Sequence, residues 1–219
     1  MPLPHLIEPS EREWLFKVTK ETSSDPVRDV CLLGYFLATP CITLEINRIQ
    51  LRDVLHKSGK LNKQFPIRGT ASYNGEDRLI YLKNKRLVEF TKSYIQHRVK
   101  NNIGMGDNPD QYLGLDPDEA LFYTSKGSGF SVVAKKTAKG SPTYSCDALN
   151  RHLKLLMNRA GIECPSVLSG RRTFAVMLKR KGFDVAHIHH LLGNKSLKTT
   201  TKLLTTDPLD MGAIAAEAF

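Results

Sequence analysis

Tyrosine is missing from the last 75 residues of this 219-residue chain; all seven stand at or before position 144. A phenolic nucleophile is therefore excluded from the C-terminal third. Long apolar runs are also scarce. The longest, Val30 to Ala38, covers nine residues, against the roughly twenty a bilayer span requires. The N-terminus has no basic start leading into an apolar block, so the secreted and transmembrane classes fall together. The four cysteines, Cys31, Cys41, Cys146 and Cys164, are far apart and form no C-x-x-C pair. That excludes a disulfide framework and fits reduced thiols in a cytoplasmic protein. With 41% hydrophobic, 8% aromatic and 25% charged residues, the composition is that of a soluble globular chain able to build a core.

Acid is what the basic stretch lacks. Residues 126 to 202 hold 15 Lys+Arg against three acids, Asp147, Glu163 and Asp184, whereas the first 125 residues hold 17 against 16. The last 17 residues have three acids and no base, so one segment carries the whole excess of the net +10. A basic field concentrated in this way is the footprint of a polyanion partner, nucleic acid first among them.

Local signals place the elements. Ser10 with Glu13 reads as a capping box opening a helix, and Asp25-Pro26 as the cap and first position of a second, mostly apolar helix stopped by Pro40. Thr43 to Ile49 reads as a short helix. The runs QFPIRG and RLIYL, separated by Tyr73-Asn74-Gly75-Glu76, predict a small antiparallel hairpin. Asn84 caps a helix ending near Lys100, and the Gly-, Asn-, Asp- and Pro-rich residues 101–119 form a long connection, the one candidate boundary inside a single domain of residues 1–219. The rest predicts short helices at 147–160, 171–181, 185–192 and 197–204, with a tail begun by Asp207-Pro208. The fold class is mainly α with a small antiparallel β-sheet, an α+β arrangement. Trp14 is expected in the core.

The segment SGRRTFAVMLKRKGFDVAHIHHLLGNKSLKTTTKLL resembles the C-terminal core of the tyrosine recombinase, or phage integrase, family. Arg171 falls on the Arg of that family's H-x-x-R, Thr173-Phe174-Ala175 on its T-F-A, and Leu191-Leu192-Gly193 on its L-L-G. Upstream, Glu45 and Asp53-Val54 stand eight residues apart as the family's E-(x)7-D-V segment asks, and Leu121 to Ser125 resembles its L-F-Y-T-S. The resemblance runs from about Pro9 to the end. It implies the family's catalytic domain fold without the separate N-terminal core-binding domain.

It also implies which positions should carry strand cleavage, and these are substituted. The first Arg falls on Ile42 or Cys41, the hairpin Lys on Ser72 or Tyr73, the His before Arg171 on Leu168, the His after L-L-G on Asn194, and the nucleophilic Tyr on Leu203. Only Arg171 is retained. Cleavage needs a phenol, guanidiniums on the non-bridging oxygens, and proton donors and acceptors. The sequence therefore predicts a DNA-binding protein without cleavage, an accessory, regulatory or segregation factor on mobile DNA, nucleoid or plasmid associated. Its contacts would come from Ser169, Arg171 and Arg172 at a helix N-terminus, from Lys195, Lys198 and Lys202, and from Lys135, Lys136 and Lys139. No cofactor, metal or membrane is called for.

Several readings stay open beside this one. The chain could be a recombinase subunit completed in trans by an active partner, with the tail, DPLDMGAIAAEAF, passing to a neighbour in a homo-oligomer. It could be an interaction module for an acidic protein. Arg171 could pair with Glu45, and the lysines could be a solvated face. Threonines 199, 200, 201, 205 and 206 offer hydroxyls but no clear activating base. His187, His189 and His190 with Cys164 suggest zinc, yet residues one and two apart on a helix diverge.

Overall fold

In a computed structural model the described residues are 3–72, 75–124, 126–136 and 142–205. Helix α1 spans Pro9–Thr22. Its start corrects the expectation of a Ser10–Glu13 box: the backbone N–H of Glu8 donates to the Glu11 carboxylate at 2.8 Å, and Pro9 takes the first position. A fixed φ and a missing N–H suit proline to that place, so the helix begins ahead of Ser10. Trp14 is also not in the core, being 52% exposed with the Lys17 ammonium 5.6 Å from its ring. The inner face belongs to Leu15, Phe16 and Thr19, and about 100° per residue turns Trp14 away from most of it.

Helix α2, Pro26–Ala38, is the central element. Asp25 caps it by accepting the Arg28 N–H at 3.0 Å, and residues 28 to 37 are all buried. It packs on α1, on α5 (Lys85–Lys100) and on α7 (Ser169–Arg180). Short α3 (Thr43–Arg48) and α4 (Leu51–Val54) lead to the predicted hairpin, β1 (Gln64–Ile67) paired antiparallel with β2 (Arg78–Tyr81). The pair Phe65 and Ile80 faces the core; the pair Pro66 and Leu79 faces out. Asn84 caps α5 as expected, accepting the Leu87 N–H at 3.1 Å.

Residues 101–119 are tied to neighbouring elements by backbone bonds, Leu51 N–H to Glu119 O at 2.9 Å and Arg52 N–H to Pro117 O at 3.0 Å. Arg98, fully buried, donates to the carbonyls of Ile103, Ala120 and Leu121. A second hairpin, β3 (Val133–Lys136) with β4 (Pro142–Ser145), stands where a Gly- and Ser-flanked loop carrying Lys135, Lys136 and Lys139 was expected. Val133 and Tyr144 are 43% and 51% exposed, so no apolar alternation marks those strands in the sequence.

Helices α6 (Asp147–Arg159), α7, α8 (Val185–Leu192) and α9 (Leu197–Leu204) complete the described chain. Asp184 caps α8, and Gly193 ends it at φ 63°, a left-handed turn that favours glycine. Apolar packing falls into one large cluster built on α1–α6 and a small one of Ala175, Ile188 and Leu192 where α7, α8 and α9 meet. Cys31, Cys41 and Cys146 are buried free thiols; Cys164 is free and exposed. No described helix is long and apolar enough to cross a membrane. The tail from residue 206, where a further helix and subunit exchange were expected, lies outside the described residues.

Candidate functional site

The site forms where the N-terminal end of α7 meets the C-terminal end of α2. α7 starts at Ser169, two residues before the expected Arg171, with Leu168 as its cap residue. Gly170 is required there: a Cβ would lie 2.2 Å from the Phe36 carbonyl oxygen and 2.8 Å from its ring. This close approach buries Ser169 completely and leaves Arg171 4% exposed.

The Arg171 guanidinium joins three parts of the chain. It donates to Pro40 O and Leu192 O, both at 2.6 Å, and to Asn194 Oδ1 at 2.8 Å. Asn194 Nδ2 donates to Thr200 Oγ1 at 2.9 Å, and that hydroxyl lies 2.8 Å from His189 Nδ1. A continuous polar chain thus runs from Arg171 through Asn194 and Thr200 to a half-buried imidazole. Arg172 reaches the Pro4 carbonyl and, at 3.0 Å, the Thr205 carbonyl, fastening the N-terminal segment to the end of α9.

Glu45, fully buried on α3, receives Arg78 from the start of β2 in a two-armed ion pair, both contacts 2.5 Å. Its Oε2 also accepts the N–H of Ile42 at 2.9 Å. The Arg78 chain lies against Gly193, where an added Cβ would be 3.0 Å from Arg78 Cδ. Cys41 registers this neighbourhood. Burial pushes its thiol up to about 12, Glu45 adds to the rise, and Arg78 and Arg171 oppose it. Sequence reading missed Arg78, because nothing in the local pattern of a hairpin strand says which helix its first residue will reach. The one available signal was Glu45 itself, a carboxylate in an apolar stretch that needs a cationic partner when buried.

The other predicted residues divide by position. Lys195, Lys198 and Lys202 are exposed around the α8–α9 turn and α9. Lys135 and Lys136 lie on β3. Lys139 and Tyr73 are outside the described residues. Leu168 is 44% exposed, Ile42 and Leu203 are half-buried, and Leu203 packs on the small cluster. Exposed Arg151, Lys154 and Arg159 add a basic face on α6 that sequence reading did not single out. The arrangement can present cations to a polyanion. Ile42, Leu168 and Leu203 bring no proton donor or nucleophile to it.

The fold is that of the tyrosine recombinase catalytic domain. XerA recombinase shares it with a TM-score of 0.70 at 19% identity, over 99% of this chain and 66% of that one. XerH site-specific recombinase, bound to a palindromic difH substrate in a post-cleavage complex, gives 0.66 at 18% over 99% and 53%. The Tn1549 transposon integrase, in complex with a circular intermediate DNA, gives 0.62 at 12% over 100% and 67%. The chain therefore spans about half to two thirds of the recombinases it matches. No family model matches the sequence, and neither does any curated protein.

Proposed function

We propose that this chain is a double-stranded DNA-binding protein that uses the recombinase catalytic fold without cutting DNA, serving as an accessory or regulatory factor on mobile DNA. The observation that carries the reading is the contrast at one place. Exposed lysines stand on the α8–α9 turn and on α9, which packs on α7, while the positions that the resemblance assigns to cleavage hold Ile42, Leu168, Asn194 and Leu203. Lys195, Lys198, Lys202 and the basic face of α6 supply exposed cations, and Arg171 works from beneath by fixing the Leu192–Asn194 turn from which Lys195 projects. DNA complexes among the structures of the same fold support the choice of polyanion.

The test pairs two assays on one duplex. Purified protein should retard a random-sequence duplex pool, and binding should weaken steeply as salt rises. Incubation with a nicked duplex that traps covalent intermediates should give no protein–DNA adduct after denaturation. A trapped adduct would return the chain to the active recombinases, and absent binding at low salt would remove DNA as the partner.

A further inference from the structure

We infer that a groove between the two ends of the β1–β2 hairpin and helix α5 is a second contact for the DNA phosphate backbone, one indifferent to sequence. The inference rests on the DNA-binding reading above. The groove, about 790 Å³, is lined by Lys60, Lys63, Lys83 and Lys92, with Leu82 and Gln96 among the remaining residues and no Asp or Glu. All four lysines are exposed.

Folding creates this patch. The lysines come from the first 125 residues, whose linear charge nearly cancels at 17 bases against 16 acids. The Leu82 N–H donates to the Lys63 carbonyl at 2.9 Å, which closes the hairpin end and sets Lys63 and Lys83 just beyond the adjoining ends of β1 and β2. The His56 N–H donates to the Lys60 carbonyl at 2.8 Å, holding the loop that carries the third. α5 brings Lys92 to the opposite wall. Of the acids nearby, Asp53 is already engaged, accepting from the Gln50 N–H and from Arg68, and the exposed Glu89 of α5 is not part of the lining.

The chemistry selects phosphate over an acidic protein surface. Ammoniums on flexible stems are point charges suited to a line of phosphates, whereas protein interfaces are depleted in lysine and enriched in aromatic residues, Met and Arg. The groove has no aromatic residue, Met or Arg to serve as such an anchor; its apolar members are the half-buried Leu61 and Val88 and the buried Leu82. Lysine also makes backbone contacts that carry no base readout.

The experiment measures binding of a random-sequence duplex, long enough to touch both surfaces, over a range of salt. Wild type is compared with a groove variant, Lys60→Gln, Lys63→Gln, Lys83→Gln and Lys92→Gln together, and with a turn variant, Lys195→Gln, Lys198→Gln and Lys202→Gln. The groove variant should fold normally by circular dichroism, bind more weakly at low salt, and lose about 3 to 4 from the slope of log affinity against log salt, near 0.9 per phosphate. Any sequence preference found for wild type should survive in it. An unchanged slope in the groove variant, with affinity lost in the turn variant, would overturn the groove and leave DNA binding standing. Failure of wild type to bind duplex would overturn both. Binding of poly-glutamate that the groove variant alone loses, with duplex affinity unchanged, would assign the groove to an acidic protein segment instead and overturn the inference.

Discussion

Replacing Arg171 with alanine removes at one stroke the donor that satisfies two backbone carbonyls and the Asn194 amide oxygen. Hydrogen bonds from a charged donor contribute about 1.5–3 kcal/mol each, and the acceptors would be left buried, so Arg171→Ala should cost about 3 kcal/mol or more in urea unfolding. Lysine, without the planar fork, should recover little of it. Were Arg171 only a phosphate ligand, the unfolding midpoint would stay put while DNA affinity fell. A second residue, Asp29, sets a pH dependence. Burial alone would raise its carboxyl, but hydrogen bonds from His152, Arg28 and Ser23 bring it from the ordinary 3.8 to about 2. A carboxyl depressed in the folded state stabilises above its ordinary pKa, and the benefit disappears as pH falls towards 2. The contribution is about 2 kcal/mol at neutral pH. Stability of the wild type should therefore fall between about pH 5 and pH 2, and Asp29→Asn should be less stable at neutral pH with a flatter acid limb. Equal acid limbs for the two proteins would contradict this.

Among elements, the α2–α7 crossing is decided by one missing methyl group. In an isolated helix Gly170→Ala would gain up to about 1 kcal/mol of propensity. Here the added Cβ would meet the Phe36 carbonyl at 2.2 Å, so the helices must move apart and the sign reverses, with a loss of about 1–3 kcal/mol or more. Thermal unfolding of the variant checks the sign; a raised Tm would mean that α7 sits further from α2 than described. What the sequence made legible follows the same division between local and distant causes. Caps are local chemistry, so Asp25, Asn84, Asp184 and Gly193 could be read directly, and the helices they bound are in place. The hairpin from β1 to β2 was readable from its turn residues and apolar alternation. The hairpin from β3 to β4 was not, because Val133, Ala134, Thr143 and Tyr144 are all exposed. At the site, T-F-A and L-L-G spacing located Arg171 and its turn, while the Glu45–Arg78 pair depended on a crossing 33 residues long that no periodicity encodes.

For the whole molecule, the distribution of apolar packing and the distribution of charge argue the same asymmetry. The large cluster holds α1 to α6 by burial, whereas the buried apolar residues described in α7–α9 are Ala175, Val176, Ile188 and Leu192. Beyond the packing of α7 on α2 at Gly170, this region is joined to the rest by polar ties: Arg171 to Pro40, Arg172 to Pro4, and Arg180 to Glu8 at 2.5 Å. Apolar burial at about 25 cal/mol per Å² sets most of a domain's stability, so a region held by few buried side chains opens at lower cost than one at the centre. Of the cations proposed for DNA, Lys195, Lys198 and Lys202 project from this less deeply anchored region, where exposure is compatible with their charge. Native-state hydrogen exchange should resolve the difference. Amides of α2 and α5 should exchange only by global unfolding, while those of α8 and α9 should exchange through a smaller opening that denaturant barely affects. Leu192→Ala should lower that opening further, leaving the α2 amides protected to the extent that global stability is retained. Exchange of α8 and α9 at the same free energy as α2 would show one cooperative unit, with the arginine ties carrying as much as the apolar core.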